Sequence, residues 1–431
     1  MAIPAPNVST GFLTGKNVTR YIDFRKLPPA RAATADTNKE NTVTKPENRL
    51  RLGMIGGGEG AFIGAVHRAA ANLDGRIQLV CGSFSREPDN NRRTGERLGL
   101  KAHRIYPDWH QLIKHEAALP ENERMQALTI ATPNQLHVPI AEAALKAGFH
   151  VFCEKPAGVS YREVASLKRT ITASARHYAL AHTYLGYPMV HQARQMVRDG
   201  ELGPLRKIYV DYRQGWLTGG LEYSGNKQAG WRTDPSLAGA SGCMADIGTH
   251  AFGLAEFISG DQISELCAEL RSHIDGRQLD DDGAALFRTG NGASGVLVAS
   301  QVCTGEENDL TIRLYGEHGG LEWRQMEPNS LIHRDGNGNI HVLRAGTDRT
   351  NLHPSAQAGL RLPAGHPEGY LEAMGNLYRD FAGFILDGQM ANTPGIETGL
   401  RGMAFIDAML ASRGNWVALA SDHKAMSEAV A

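Results

Sequence analysis

The stretch that most limits what this chain can fold into lies at residues 50–73. Residues 50–55 (Leu-Arg-Leu-Gly-Met-Ile) read as a buried strand. It runs into Gly56-Gly57-Gly58-Glu59-Gly60-Ala61-Phe62-Ile63-Gly64 and then into a helical run over 65–73. Strand, glycine loop and helix in that order make a turn at which backbone N–H groups and the helix dipole take up a pyrophosphate. Gly56 and Gly58 keep the regular spacing. The third small residue is either Ala61 or a displaced Gly64, and in the second case the loop carries three extra residues. Nucleotide contacts are expected at Gly56, Gly58, Gly60, Ala61, Phe62 and Ile63. A flexible surface loop is the competing reading, and the pattern of the next hundred residues bears on the choice.

That pattern is an alternation of strands and helices. Strand-like runs at 77–81, 127–131, 149–153 and 177–181 are separated by helical runs opening at Pro88 and spanning 138–147 and 161–174. Helices of ten or so residues between short apolar strands imply a parallel, doubly wound α/β sheet of the Rossmann type. Many such domains place an acid after the second strand to bind the ribose 2′-hydroxyl. Here the chain reads Gly82-Ser83-Phe84-Ser85-Arg86-Glu87, with no acid at the strand tip. Ser85 and Arg86 bind a 2′-phosphate, or Arg86 stacks on adenine, or Arg86 is a solvated charge ahead of Pro88. NAD and NADP both stay open as the cofactor.

After Thr183 the pattern changes. Long strand candidates at 205–214 and 263–274 are followed by pairs that flank Gly290-Asn291-Gly292, Glu317-His318-Gly319-Gly320 and Asp335-Gly336-Asn337-Gly338. Such turns join antiparallel neighbours. The expectation is an α+β domain: a large, mostly antiparallel, open-faced sheet with helices on one side, ending in helices at 370–386 and 395–412. Val210, Leu286, Val296 and Val298 are the apolar residues expected on its open face. The organisation read from the chain is residues 1–49 as a tail or arm, 50–183 as the nucleotide-binding domain, and 184–431 as the substrate-binding and oligomerisation domain. The leading segment is polar apart from Tyr21, Ile22 and Phe24. It is either a disordered tail or an arm that docks on another subunit.

Composition narrows the function classes. A net charge of -1 over 431 residues gives no electrostatic basis for a nucleic-acid or anionic-membrane partner. No apolar run is long enough to span a bilayer, and the N-terminus lacks the pattern of a secretory signal. Cys81, Cys153, Cys243, Cys267 and Cys303 are scattered and form no C-x-x-C pair, which points to unpaired thiols in a reduced cytoplasm. No metal site is expected.

Two short motifs carry chemistry. Glu154-Lys155-Pro156 follows the strand at 149–153, at the strand end where α/β folds put their ligands. An ammonium there polarises a carbonyl or holds a developing alkoxide; the plainer reading is a surface turn. Further on comes Asp246-Ile247-Gly248-Thr249-His250. If the chain is helical from about Ser241, Asp246 and His250 lie one turn apart on the same face. A carboxylate beside an imidazole fixes its tautomer and raises its basicity; the plainer reading is a satisfied core histidine. Tyr184, Tyr187, Trp231 and Arg232 are candidates to line a sugar pocket, with ordinary packing or capping equally open for each.

The glycine loop, Ile130-Ala131-Thr132-Pro133-Asn134 with His137, the block Ala147 to Pro156 and Asp246-Ile247-Gly248-Thr249-His250 together resemble the Gfo/Idh/MocA family (glucose–fructose oxidoreductase, inositol dehydrogenase and MocA-like proteins). The resemblance spans residues 50–250 in the family's order. It implies an NAD(P)-dependent enzyme acting on a secondary hydroxyl of a sugar, cyclitol or glycoside, assembled as a homodimer or homotetramer. It places Thr132, Pro133, Asn134, His137, Glu154 and Lys155 near the cofactor. By the same analogy Lys155 orients the hydroxyl and stabilises its charge, and His250 takes its proton. Asp246 orients His250 or lies against the substrate. Two other readings share these residues: a glycosidase that oxidises its sugar transiently, and a sugar- or cofactor-sensing regulator without catalysis.

Overall fold

In the computed structural model, which describes residues 49–390 and 392–419, the first half of the chain forms a five-stranded parallel sheet. Its elements run β1 (Leu50–Gly56), α1 (Phe62–Asn72), β2 (Ile77–Ser83), α2 (Pro88–Arg97), α3 (Trp109–Ala118), β3 (Ala127–Ala131), α4 (His137–Lys146), β4 (His150–Cys153), α5 (Tyr161–Ser174) and β5 (Tyr178–Leu180). The strand order is β2-β1-β3-β4-β5, with every pair parallel. Strands buried on both faces read as continuous apolar runs, as Val151, Phe152 and Cys153 do. Helix α1 begins at Phe62, earlier than the apolar periodicity suggests. Phe62 is 69% exposed and so belongs to no apolar stripe.

The second half builds a nine-stranded sheet. The chain passes through α6 (Pro188–Arg198), β6 (Leu205–Arg213), α7 (Lys227–Arg232), α8 (Pro235–Ala238), α9 (Thr249–Ser259) and β7 (Ile263–Arg271). Strands β8 (Asp282–Thr289), β9 (Ser294–Ser300), β10 (Asp309–Gly316), β11 (Gly319–Arg324), β12 (Ser330–Asp335) and β13 (Ile340–Arg344) come next, then α10 (Pro354–Gln357), α11 (Tyr370–Asp387), α12 (Ile396–Ser412) and β14 (Trp416–Ala418). The order is β13-β12-β11-β10-β6-β9-β8-β7-β14. The three expected hairpins, β8–β9, β10–β11 and β12–β13, are all antiparallel. The exception to antiparallel pairing is β6 beside β9, which is parallel.

This sheet has one buried and one open face. Leu310, Ile312 and Leu314 of β10 point into the core. On β8, Ala285 and Phe287 are buried while Ala284, Leu286 and Arg288 are exposed. Full burial of a side chain such as Phe287 is worth about 1.5–3 kcal/mol. One expectation is corrected: Val210 lies on the buried face, and Tyr209 takes the outward position. The register of β6 decides this, since adjacent residues of a strand point to opposite faces.

From Tyr370 the chain returns to the first sheet. Met374, Leu377, Tyr378 and Phe381 of α11 pack with Leu50, Leu52 and Phe152, and the Phe152 and Tyr378 rings stack at 4.1 Å. The leading segment with Tyr21, Ile22 and Phe24 lies outside the described residues. Among those described, no helix is long and apolar enough to cross a membrane, and all five cysteines are free.

Candidate active site

The glycine loop is built by close approach. Gly56 has φ +83°, and a Cβ there would lie 2.1 Å from the carbonyl oxygen of Ala131 on β3. A Cβ on Gly64 would lie 2.3 Å from the Cα of Gly57, so Gly64 is the helix-packing glycine and the loop carries the insertion. Ala61 instead occupies the N-cap of α1 and offers no side-chain hydrogen bond. The loop tip is tied to α2. The Glu59 N–H donates to Asn90 Oδ1 (3.0 Å) and Thr94 Oγ1 (3.1 Å), and its carboxylate pairs with Arg93 and Arg97. A cradle of glycines in front of an uncapped helix start fits a dinucleotide pyrophosphate. At the end of β2, Arg86 is exposed and Ser85 Oγ accepts the Glu87 N–H.

Three residues expected at the cofactor have their polar groups engaged within the protein. His137 is buried, with Nε2 2.9 Å from the Thr132 carbonyl and Nδ1 2.7 Å from that of Pro156. It braces one strand-end turn against the other, so its ring nitrogens are not available to a ligand. Asn134 Nδ2 donates to the Ala238 carbonyl at 2.9 Å. Glu154 Oε1 lies 2.9 Å from His67 Nε2, and its Oε2 accepts the Lys155 N–H at 3.0 Å. Burial alone would raise the Glu154 carboxyl, but the His67 hydrogen bond and the nearby Lys155 charge outweigh it and hold it below the usual range. His67 Nδ1 continues to the Tyr378 hydroxyl (2.9 Å), which meets Thr129 Oγ1 (2.9 Å). Pro133 is the residue before the short 3₁₀ turn Asn134–Leu136.

Lys155 projects toward the second sheet. Its Nζ donates to Asp246 Oδ1 at 2.8 Å and to the Asp246 carbonyl at 2.5 Å. Asp246 Oδ2 accepts from Arg232 Nε (3.2 Å) and Gln301 Nε2 (2.9 Å). Burial would raise the Asp246 carboxyl; the Lys155 and Arg232 charges and the hydrogen bonds from Lys155 and Gln301 hold it well below the usual carboxylate range. The expectation for Asp246 is to orient His250 or to lie against the substrate; among the described residues its carboxylate is held by Lys155, Arg232 and Gln301, with no hydrogen bond to His250. The local backbone also differs. Met244–Gly248 forms a π turn that leads into α9. Asp280 anchors this entry, accepting the Gly242 and Met244 N–H groups at 2.8 Å each.

His250 is 7% exposed, and its Nδ1 is buried with no hydrogen-bond partner among the described residues. Its ring meets Tyr184 edge to face at 4.7 Å and His182 at 5.3 Å. Burial, then the Lys155 charge, then His182 push the imidazole well below its ordinary value, against a smaller pull from Asp246. These effects favour the neutral imidazole, the form whose lone pair can accept a proton. The Tyr184 hydroxyl shares a network with the Tyr212 hydroxyl and Asn308. Gln214 extends it to Trp216 Nε1. The Arg232 guanidinium lies 4.2 Å over the Trp231 ring. Tyr187 is buried and packs 5.3 Å from the Trp323 ring, a core position.

Sequence reasoning did not find His67, His182, Tyr212, Asp280, Gln301, Asn308 or Tyr378. Most of their partners are distant in sequence, and a single polar residue, in a strand, a helix or a loop, carries no local signal.

Buried histidines set an acid limit on stability. Burial, then Lys155, pushes His182 down from 6.5 to about 4; burial also lowers His137. With folded values below the unfolded ones, the unfolded chain binds more protons in the interval, so stability is lost as pH falls from about 6.5 toward 4. The melting temperature is expected to be lower at about pH 5 than at about pH 7; equal melting temperatures would contradict this.

Residues 50–182 match the oxidoreductase family with an NAD-binding Rossmann fold, and residues 190–322 match the GFO/IDH/MocA C-terminal domain. The chain is 30% identical over 381 residues to the uncharacterized oxidoreductase YfiI of Bacillus subtilis (strain 168), covering 86% of this chain and 95% of that one. The crystal structure of an inositol dehydrogenase homolog complexed with NAD+ from Azotobacter vinelandii superposes with a TM-score of 0.82 at 35% identity, over 86% of this chain and 97% of that one. The homolog's complex with NADH and myo-inositol gives a TM-score of 0.79 at 34% identity, over 86% and 98%. With an NAD-binding Rossmann fold leading into a GFO/IDH/MocA C-terminal domain, the chain belongs to the GFO/IDH/MocA family of oxidoreductases.

Proposed function

We propose that this protein transfers a hydride between a secondary hydroxyl of a sugar, cyclitol or glycoside and the nicotinamide of NAD. The observation that carries the reading is the Lys155–Asp246 ion pair. It joins residues 91 apart in the chain and sets an ammonium from the end of β4 beside the turn that leads to His250. Alcohol oxidation requires a base for the hydroxyl proton and a positive group near the oxygen. His250 is the base. Lys155 stabilises the charge that develops on the oxygen, and Asp246, kept ionised, holds Lys155 in place. The nicotinamide, when bound, supplies the hydride chemistry. The glycine cradle at Gly56–Gly64 holds the pyrophosphate through backbone N–H groups. Arg232 over Trp231 offers hydrogen-bond donors beside an aromatic face, which suits a hydroxyl-rich ring. The Azotobacter vinelandii homolog has been crystallised with NADH and myo-inositol. The levoglucosan dehydrogenase of Pseudarthrobacter phenanthrenivorans is 26% identical over 312 residues. Both support a polyhydroxylated ring as the substrate class.

The test is to identify the nucleotide that co-purifies, then to screen cyclitols, sugars and glycosides for absorbance change at the reduced-nicotinamide band. A nicotinamide dinucleotide and turnover on at least one such alcohol are expected. Absence of any bound or added dinucleotide binding would refute the reading.

We also propose that the protein is a homo-oligomer assembled through the open face of the nine-stranded sheet. Tyr209, Leu286 and Trp416 are exposed there, beside half-buried Val296 and Val298. An apolar open face of this kind calls for cover. Light scattering is expected to give a multiple of 46.7 kDa; a monomer mass at micromolar concentration would contradict it.

A further inference from the structure

A base imidazole needs a partner on its second nitrogen, because that partner decides which tautomer is present. The usual partner is a carboxylate or a carbonyl. In this protein the nearest carboxylate, Asp246, is committed to Lys155, Arg232 and Gln301. His250 Nδ1 is left buried and unpartnered, and a buried polar atom without a partner is costly. Among the described residues one other imidazole nitrogen is in this state, Nδ1 of His182. The two rings are neighbours, edge to face at 5.3 Å and 81°.

His182 sits just past β5 and is 3% exposed. A Cβ on Gly253 would lie 3.5 Å from both Cε1 and Nδ1 of His182. The Nδ1 edge of His182 is therefore turned toward α9, the helix that carries His250, at a position where no side chain intervenes. Two buried nitrogens on adjoining rings, with a glycine beside them, supply the polar partners that an internal water requires.

We propose that His182 is the positioning partner of His250: one water, held between their Nδ1 atoms, accepts the Nδ1–H of His250 and donates to the Nδ1 lone pair of His182. The Nε2 lone pair of His250 is thereby left to take the hydroxyl proton. This rests on the reading of His250 as the base. The donor–acceptor order requires both rings to be neutral. The charged groups acting on them are Lys155 and Glu154 at His182, and Lys155 and Asp246 at His250. Burial and the Lys155 ammonium disfavour protonation of either ring. Tyr184, packed edge-on to His250, is neutral as well, its hydroxyl pushed far up by burial.

The experiment reads imidazole ¹⁵N shifts of the full chain without added cofactor, alongside turnover. The wild type is expected to show His250 as the Nδ1–H tautomer with a slowly exchanging ring proton. In His182→Phe, which keeps a ring and removes both nitrogens, His250 is expected to shift toward the Nε2–H tautomer. Turnover is expected to fall roughly 10- to 100-fold, the range known for the outer hydrogen-bond partners of metal-bound imidazoles, at unchanged KM. His182→Asn should recover part of the loss. Gly253→Ala, which puts a methyl beside the Nδ1 edge, should move the tautomer the same way and serves where His182→Phe does not fold. An Nε2–H tautomer in the wild type, or an unmoved tautomer in both variants, overturns the proposal. If His250→Asn is inactive while the tautomer is unmoved, this proposal alone falls; if His250→Asn retains turnover, the base assignment falls with it.

Discussion

Lys155→Met is expected to lower turnover by roughly 10²–10³, the ordinary worth of one charge-stabilising donor aimed at a developing oxyanion. Met keeps most of the side-chain stem, so packing at the end of β4 is preserved and the loss is one of charge. Asp246 would lose its bond to the ammonium but keep Arg232 at 3.2 Å and Gln301 at 2.9 Å. The stability cost should therefore be smaller than the roughly 3–5 kcal/mol of an abandoned buried charge. Cofactor affinity should change little if the glycine cradle carries most of the binding. Steady-state turnover and a thermal melt on one preparation check this. A variant that melts far below wild type yet keeps full turnover per folded molecule would make Lys155 a structural residue.

The fold was legible wherever a local pattern has a single physical solution. Strand, glycine loop and helix at 50–73 repeat as strand and helix up to β5, and that alternation closes only as a parallel sheet. The three hairpins were legible from their glycine-rich turns. What stayed hidden is non-local. The parallel pairing of β6 with β9 joins Lys207 to Ser294 through no turn. The return of α11 to the first sheet shows in Tyr378 and Phe381 only once Phe152 is beside them. The π turn at Met244–Gly248 begins where the Asp280 carboxylate receives the Gly242 and Met244 N–H groups, from more than thirty residues away.

The site divides along the same line. The residue types were readable, because an ammonium at a strand end and an imidazole on a helix carry recognisable chemistry. Their pairing was not. Asp246, four residues before His250, suggested a carboxylate–imidazole pair, yet Lys155 and Arg232 bind the same carboxylate. His137 and Glu154 look like ligand groups in sequence. In the fold their polar atoms are consumed by the Thr132 and Pro156 carbonyls, and by His67 and the Lys155 N–H. Motifs name candidate chemistry; the surrounding hydrogen bonds decide which atoms are free for it.

His250→Asn should cost roughly 10²–10⁴ in turnover, the usual worth of a positioned acid–base group. Asn keeps the polarity and much of the size but cannot accept the hydroxyl proton at neutral pH. The His250 ring is packed against Tyr184 and His182, so some loss of thermal stability accompanies the change. A core histidine with no chemical role would lose stability and retain turnover per folded molecule. The decisive measurement is single-turnover hydride transfer in wild type and His250→Asn, each folded and saturated with cofactor, on the best alcohol from the substrate screen. If His250 is the base, that rate falls by roughly 10²–10⁴ with cofactor affinity nearly unchanged; a folded, cofactor-bound His250→Asn protein transferring hydride at close to the wild-type rate would contradict it.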